Sequence, residues 1–191
     1  MAGEMERYFV LAPRVAPGHV FIEDYDAPRA YDFDYAKGVP ITAGEPAELR
    51  YTDPAATRPD LVSGVHLFPV VSARFRDVLA DAGGADEVEY HPVRLVCTRT
   101  GETDLTYRMM NILGNVACLD RAASNFETLG DTPFITELRR LAVDLAPLQG
   151  RSIARMDEVR DIVLVSGVLR ERMERAGITG VEFAAPEEYE T

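Results

Sequence analysis

Pro69-Val70-Val71-Ser72-Ala73-Arg74-Phe75-Arg76-Asp77-Val78-Leu79 opens a phrase that this chain says twice. It runs on through Ala82-Gly83 to Val88-Glu89-Tyr90-His91-Pro92. A second copy begins at Val163-Leu164-Val165-Ser166 and runs through Ala176-Gly177 to Val181-Glu182-Phe183 and Pro186. Each copy reads as strand end, serine cap, three-turn helix, glycine stop and strand. Ser72 and Ser166 stand where a hydroxyl can accept from the amide two or three residues on. Phe75, Val78, Leu79 and Ala82 recur at helical spacing and make one apolar stripe. Leu169, Met173 and Ala176 fill three of the same four places, with Arg172 in the other. Gly83 and Gly177 fall where a left-handed residue ends a helix. The copies lie too far apart for a solenoid repeat of roughly 20–50 residues. They describe scaffold and contain no chemistry. Chance recurrence of a common unit is the competing explanation.

The rest of the chain adds strands around these units. Arg7–Ala12 is a short apolar strand, stopped by Pro13 and Pro17. Glu48–Tyr51 is another. Val93–Thr98 and Leu105–Met110 flank a Thr100–Thr103 turn and predict a hairpin. Residues 111–119 continue in extended form past Gly114, and 120–135 read as a polar loop. Residues 135–145 suit helix or strand equally, because short apolar runs are not decided by periodicity. Ile153–Met156 and Asp161–Val165 read as strands. The pattern predicts an α+β fold: a mixed, mostly antiparallel sheet, a few short helices and two similar strand-helix-strand units. Residues 1–60, rich in Pro, Gly and Asp, are expected as an irregular acidic segment packed on an α+β core of residues 61–191, the whole forming one compact domain.

Composition narrows the function classes. A hydrophobic fraction of 47% supports a real core. No apolar run reaches the roughly 18–20 residues of a membrane span, and the acidic start Met1–Arg7 lacks the basic region of a signal peptide. Cys97 and Cys118 lack the spacing of a zinc or redox pair and read as buried free thiols. These features together point to the cytoplasm. The formal net charge is −12, which disfavours nucleic acid and anionic membrane as partners and favours encounter with a basic one.

No motif names a reaction. There is no Gly-x-Gly-x-x-Gly, and the lone lysine, Lys37, has no phosphate-cradling run before it. His19, His66 and His91 lie far apart and lack companion ligands, so surface or hydrogen-bonded core roles fit them best. No catalytic, metal-ligating or cofactor-binding residue is assigned. One region carries a sharper expectation: Asp24-Tyr25-Asp26 and Tyr31-Asp32-Phe33-Asp34-Tyr35 interleave acids with aromatics. Asp24, Asp26, Asp32 and Asp34 are candidates for paired carboxylates in acid/base hydrolysis or for calcium ligands, although the loop glycine and closing Glu of an EF-hand are missing. The tract also suits a partner surface, with Tyr25, Tyr31, Phe33 and Tyr35 as anchors and the aspartates as steering charge. A solvated loop is the plainest reading.

The chain resembles immunity-protein family eleven of bacterial polymorphic toxin systems. The resemblance is carried by Arg7-Tyr8-Phe9-Val10-Leu11, by Val71–Leu79 followed by Val88–Val93, and by Tyr107–Leu113 followed by Cys118-Leu119-Asp120 and Ser124. It closes on Ile162–Ser166, Ala176-Gly177 and Ile178–Phe183. The order and spacing of these pieces over residues 7–186 supply the specificity. The resemblance implies a cytoplasmic, non-catalytic antidote that covers a cognate protein toxin, and no catalytic residues come with it. A basic toxin would match the charge. A carboxylate-dependent hydrolase, and a structural or regulatory protein-binding module, are the alternatives.

Overall fold

The computed structural model describes residues 7–42 and 44–189, the side chain of Asp32 excepted. Residues 1–6, on which the reading of the N-terminus partly rests, lie outside them. The repeated phrase takes the same form twice. In the first unit, β6 (Val70–Val71) leads into α2 (Ala73–Asp81), and the chain returns as β7 (Val88–Cys97). A strand from elsewhere, β9 (Arg108–Ile112), lies between β6 and β7, antiparallel to both. In the second unit, β13 (Val163–Ser166), α3 (Gly167–Ala176) and β14 (Val181–Ala184) follow in the same order. Here β1 (Tyr8–Pro13) is the inserted strand, again antiparallel to both. Both units are therefore strand-helix-strand crossovers split by one antiparallel strand.

The local signals behave as their chemistry requires. Ser72 Oγ accepts from the Phe75 N–H at 3.2 Å, and Ser166 Oγ accepts from the Leu169 N–H at 3.2 Å. Gly83 (φ 91°) and Gly177 (φ 64°) take the left-handed turn that lets the next amide reach back. Thus Gly84 N–H donates to Leu79 O at 3.0 Å, and Ile178 N–H donates to Met173 O at 3.0 Å. Phe75 and Leu79 of α2 meet Leu169 and Met173 of α3 in one buried cluster. These four residues occupy matching positions in the two copies.

Between the units, Asp60 forms a polar clasp. Its carboxylate accepts from Ser72 Oγ at 2.6 Å, Thr179 N–H at 2.9 Å and Thr179 Oγ1 at 3.0 Å. Arg74 approaches the same carboxylate at 3.2 Å and also donates to Ala176 O at the end of α3, where a cation complements the helix dipole.

β12 (Ile153–Arg155) completes a four-stranded antiparallel sheet in the order β12-β13-β1-β14. Its two faces follow the period of two. Leu11, Ile153, Val163 and Val165 pack toward the helices. Tyr8, Val10, Ala154 and Leu164 face a second cluster closed by Leu138, Leu141 and Leu148.

The segment expected to be irregular contains regular elements: β2 (Phe21–Ile22), β3 (Asp24–Asp26), α1 (Arg29–Lys37) and β4 (Ala47–Tyr51). With β5 (Leu61–Gly64) they extend the first unit into the order β2-β5-β6-β9-β7-β4-β3. Only Glu23 separates β2 from β3, so both ends of that order are one stretch of chain, and the sheet curls into a nearly closed barrel. The β2–β5 and β4–β7 pairs are parallel, and the other ladders are antiparallel. The ten-residue β7 carries Pro92 at its middle, where its partner changes from β9 to β4. A proline lacks the N–H that an unbroken ladder would need, and a change of partner tolerates that gap.

Two further expectations are revised. The hairpin across Thr100–Thr103 forms in two pieces: β8 (Thr103–Asp104) pairs with Leu95 and Val96, whereas β9 starts at Arg108 and pairs with Val88–Pro92. The polar stretch 120–135 is not all loop. It holds β10 (Asn125–Thr128), which pairs with β11 (Ile135–Arg140), so the first half of the ambiguous segment is strand, while residues 141–145 are neither helix nor strand apart from a bridge between Val143 and Leu119.

Candidate partner-binding site

The structure separates the interleaved acids and aromatics. Tyr31-Asp32-Phe33-Asp34-Tyr35 is the body of α1, so Tyr31 and Tyr35 stand one turn apart on the same face. That face points inward: Tyr31 is 0% exposed and Tyr35 8%. Both rings meet Phe68 edge-on, at 5.8 Å and 6.5 Å between centroids. These two tyrosines, expected as anchors on a partner surface, are instead core residues of the barrel, whereas Phe33 of the same tract is exposed. Tyr25 is half-buried and packs its ring edge against Phe68 as well.

The described acids lie at the surface, and the Asp32 side chain falls outside what the structure describes. Asp24 and Asp26 are exposed on β3, and Asp34 lies on α1, where it accepts from Lys37 at 3.4 Å. Asp24 is bridged by Arg50 at 2.7 Å; Arg50 also holds Glu48 at 2.8 Å, and Arg94 reaches Glu48 at 3.3 Å. Part of the acidic tract is thus neutralised by the protein's own arginines. Among the described residues, no three or more of His, Cys, Asp and Glu gather as a cation site. The carboxylates whose pKa is shifted, Glu89 and Glu137, are both lowered, opposite to a general acid. For Glu89, burial raises the pKa, but hydrogen bonds from Asn111 Nδ2, the Ile41 N–H and His91 outweigh it.

A buried arginine sits behind α1. Arg155 is fully buried, its guanidinium lies 3.5 Å from the Tyr35 ring centre, and Nη1 donates to Tyr35 O. Burial lowers the Arg155 pKa and pushes the Tyr35 phenol up to about 12.

Where the barrel meets the four-stranded sheet, the fold leaves a cleft of about 320 Å³. Its walls come from β5 and the following loop, from Tyr35 of α1, and from Leu11, Asp161 and Val163. The loop Val65–Pro69 is held by Phe68, which is buried against the tyrosines, while Val65 and Leu67 are 51% and 65% exposed. Two polar atoms in the wall are unmatched. Ser63 is 6% exposed and its Oγ has no hydrogen-bond partner among the described residues; the same holds for His66 Nδ1. Burial pushes the His66 imidazole down to about 4, so it is neutral at pH 7. In the sequence His66 reads as an ordinary histidine, because what distinguishes it is a wall built from residues 11, 35 and 161.

No curated protein matches the chain. The model of the immunity protein family Imm11 matches residues 7–188, nearly the whole sequence. The chain belongs to the Imm11 immunity protein family.

Proposed function

We propose that this protein binds a cognate protein toxin in the bacterial cytoplasm and neutralises it by covering it, making and breaking no bond. The match of the immunity family over residues 7–188 carries this reading. Two physical features support it. The net charge of −12 favours a basic toxin, whose approach the field accelerates, and disfavours nucleic acid and anionic membrane as targets. No helix among the described residues is long and apolar enough to cross a membrane.

Within this reading, Asp24, Tyr25, Asp26 and Asp34 contribute to the flank that the toxin first meets. Surface ion pairs are worth only about 0–1 kcal/mol each, so that flank acts through long-range attraction more than through contact energy. The test is co-expression with each candidate toxin domain found in the genomic neighbourhood of this gene. Growth should be restored, and the purified pair should associate more slowly as salt rises. Persistent killing, with no complex at low salt, rules the proposal out.

A further inference from the structure

Resting on the toxin-binding reading, we propose that the cleft between β5, the Val65–Pro69 loop and Asp161 receives a basic side chain, arginine or lysine, from an exposed loop of the toxin. Three observations converge. First, the wall is polar beneath its surface: Ser63 and His66 line the cleft, and Ser63 Oγ and His66 Nδ1 lie buried there without a hydrogen-bond partner. Neither atom is open to the cleft, so a bound group reaches them only when the wall shifts, and relief of their unmet hydrogen bonds would favour that shift. Second, Asp161 is the one charged side chain in the wall, it is exposed, and it is negative. Arg155, stacked on Tyr35 behind the wall, interacts electrostatically with Asp161 but does not line the cleft. Third, the lip is apolar. Leu67 and Pro69 line the cleft beside Phe68, and Leu67 is largely solvent-exposed despite its size.

A long basic side chain matches all three. Its methylene stem would lie on Leu67 and Pro69, and its charged head would meet Asp161. The volume of about 320 Å³ takes one such side chain with a neighbour. An overall charge of −12 makes a basic occupant the favoured one.

The experiment uses the full chain and the toxin domain that it protects against in co-expression, made inactive for handling. Binding is measured for the wild type, Leu67→Arg and Asp161→Asn, with melting curves confirming that each variant folds. Both substitutions are at exposed positions. Leu67→Arg places a like charge on the lip and should weaken binding about 30-fold or more. Asp161→Asn should weaken it about tenfold at low salt and less at high salt. Unchanged affinity in both variants, with the wild type still binding, overturns the cleft while leaving the toxin-binding reading standing. Loss in Leu67→Arg with no effect of Asp161→Asn overturns the basic occupant in favour of an apolar one. Concentration-dependent self-association of the wild type, abolished by Leu67→Arg, assigns the cleft to a second copy of this chain and also overturns the proposal. A wild type that fails to bind the toxin at all removes both readings.

Discussion

Asp60→Ala should cost about 3–4 kcal/mol of stability. The carboxylate is buried and takes hydrogen bonds from Ser72 Oγ, Thr179 N–H and Thr179 Oγ1. A hydrogen bond to a charged group contributes about 1.5–3 kcal/mol, but the three share one acceptor group and do not add. Thr179 is exposed and its donors can return to water, which trims the sum. The Arg74 contact adds at most about 1 kcal/mol, because the arginine side chain is largely in solvent. The loss also reaches α2, since the same Ser72 hydroxyl caps its first turn. Urea unfolding at pH 7 would measure the effect, with an unchanged slope expected because the exposed area barely changes. Ser72→Ala alone should cost about 1–2 kcal/mol. The double variant should cost about 1 kcal/mol less than the sum, because the two residues share a bond. A loss below about 1 kcal/mol for Asp60→Ala would show that the clasp does not join the two units, and strict additivity in the double variant would show that Asp60 and Ser72 do not share a stabilising bond.

Gly180 has φ 75°, and a Cβ there would lie 2.2 Å from Leu61 O and 2.7 Å from Pro59 Cβ. Gly180→Ala should therefore cost about 3–5 kcal/mol in the same unfolding assay. Gly101→Ala, at φ 74° with nothing within 4 Å, should cost only about 1 kcal/mol; equal losses would refute the clash. The His66 imidazole, pushed down to about 4 by burial, resists a proton that the unfolded chain accepts near 6.5. Its contribution to stability is complete above pH 6.5 and is lost as pH falls toward 4, with a size of roughly 1–3 kcal/mol. His66→Gln should flatten that part of the profile, and parallel profiles for variant and wild type would reject the cause.

What could be read from the sequence was local. The serine caps, the glycine stops and the Phe75/Leu79 and Leu169/Met173 stripes are short-range patterns, and the structure places each as its spacing implies. Helix α1 was hidden by its own composition. Its aromatics at 31, 33 and 35 alternate with acids in a two-residue rhythm that mimics a strand or an open loop. The boundary signals were present in Pro28 and Gly38, and Gly38 ends the helix at φ 65°. The β10–β11 hairpin was missed for another reason. Its exposed face is laced by Arg139 with Glu127 and Glu137, at 2.5 Å and 2.8 Å, so the stretch reads as polar while Leu138 alone is fully buried. The cleft had no local signal, because its walls are assembled from segments more than a hundred residues apart.

The burial of Tyr31 and Tyr35 changes how an acidic immunity protein of this shape would bind. Had they been surface anchors, one tract would have supplied both steering charge and contact area. With them in the barrel core, the two roles fall to different places. The exposed acids near β3 are partly paired with Arg50 and Arg94 and offer little contact energy, yet the net field of the molecule remains strongly negative. Contact energy comes best from desolvated apolar surface around a polar centre, and the cleft behind Leu67 provides that arrangement. The division separates in kinetics. Neutralising Asp24 and Asp26 should slow association and weaken its salt dependence while leaving dissociation nearly unchanged, because rim charges act on encounter. Leu67→Arg should act mainly on dissociation, because a buried anchor holds a complex already formed. If both sets of variants changed only the association rate, steering and anchoring would not be separate functions of this fold.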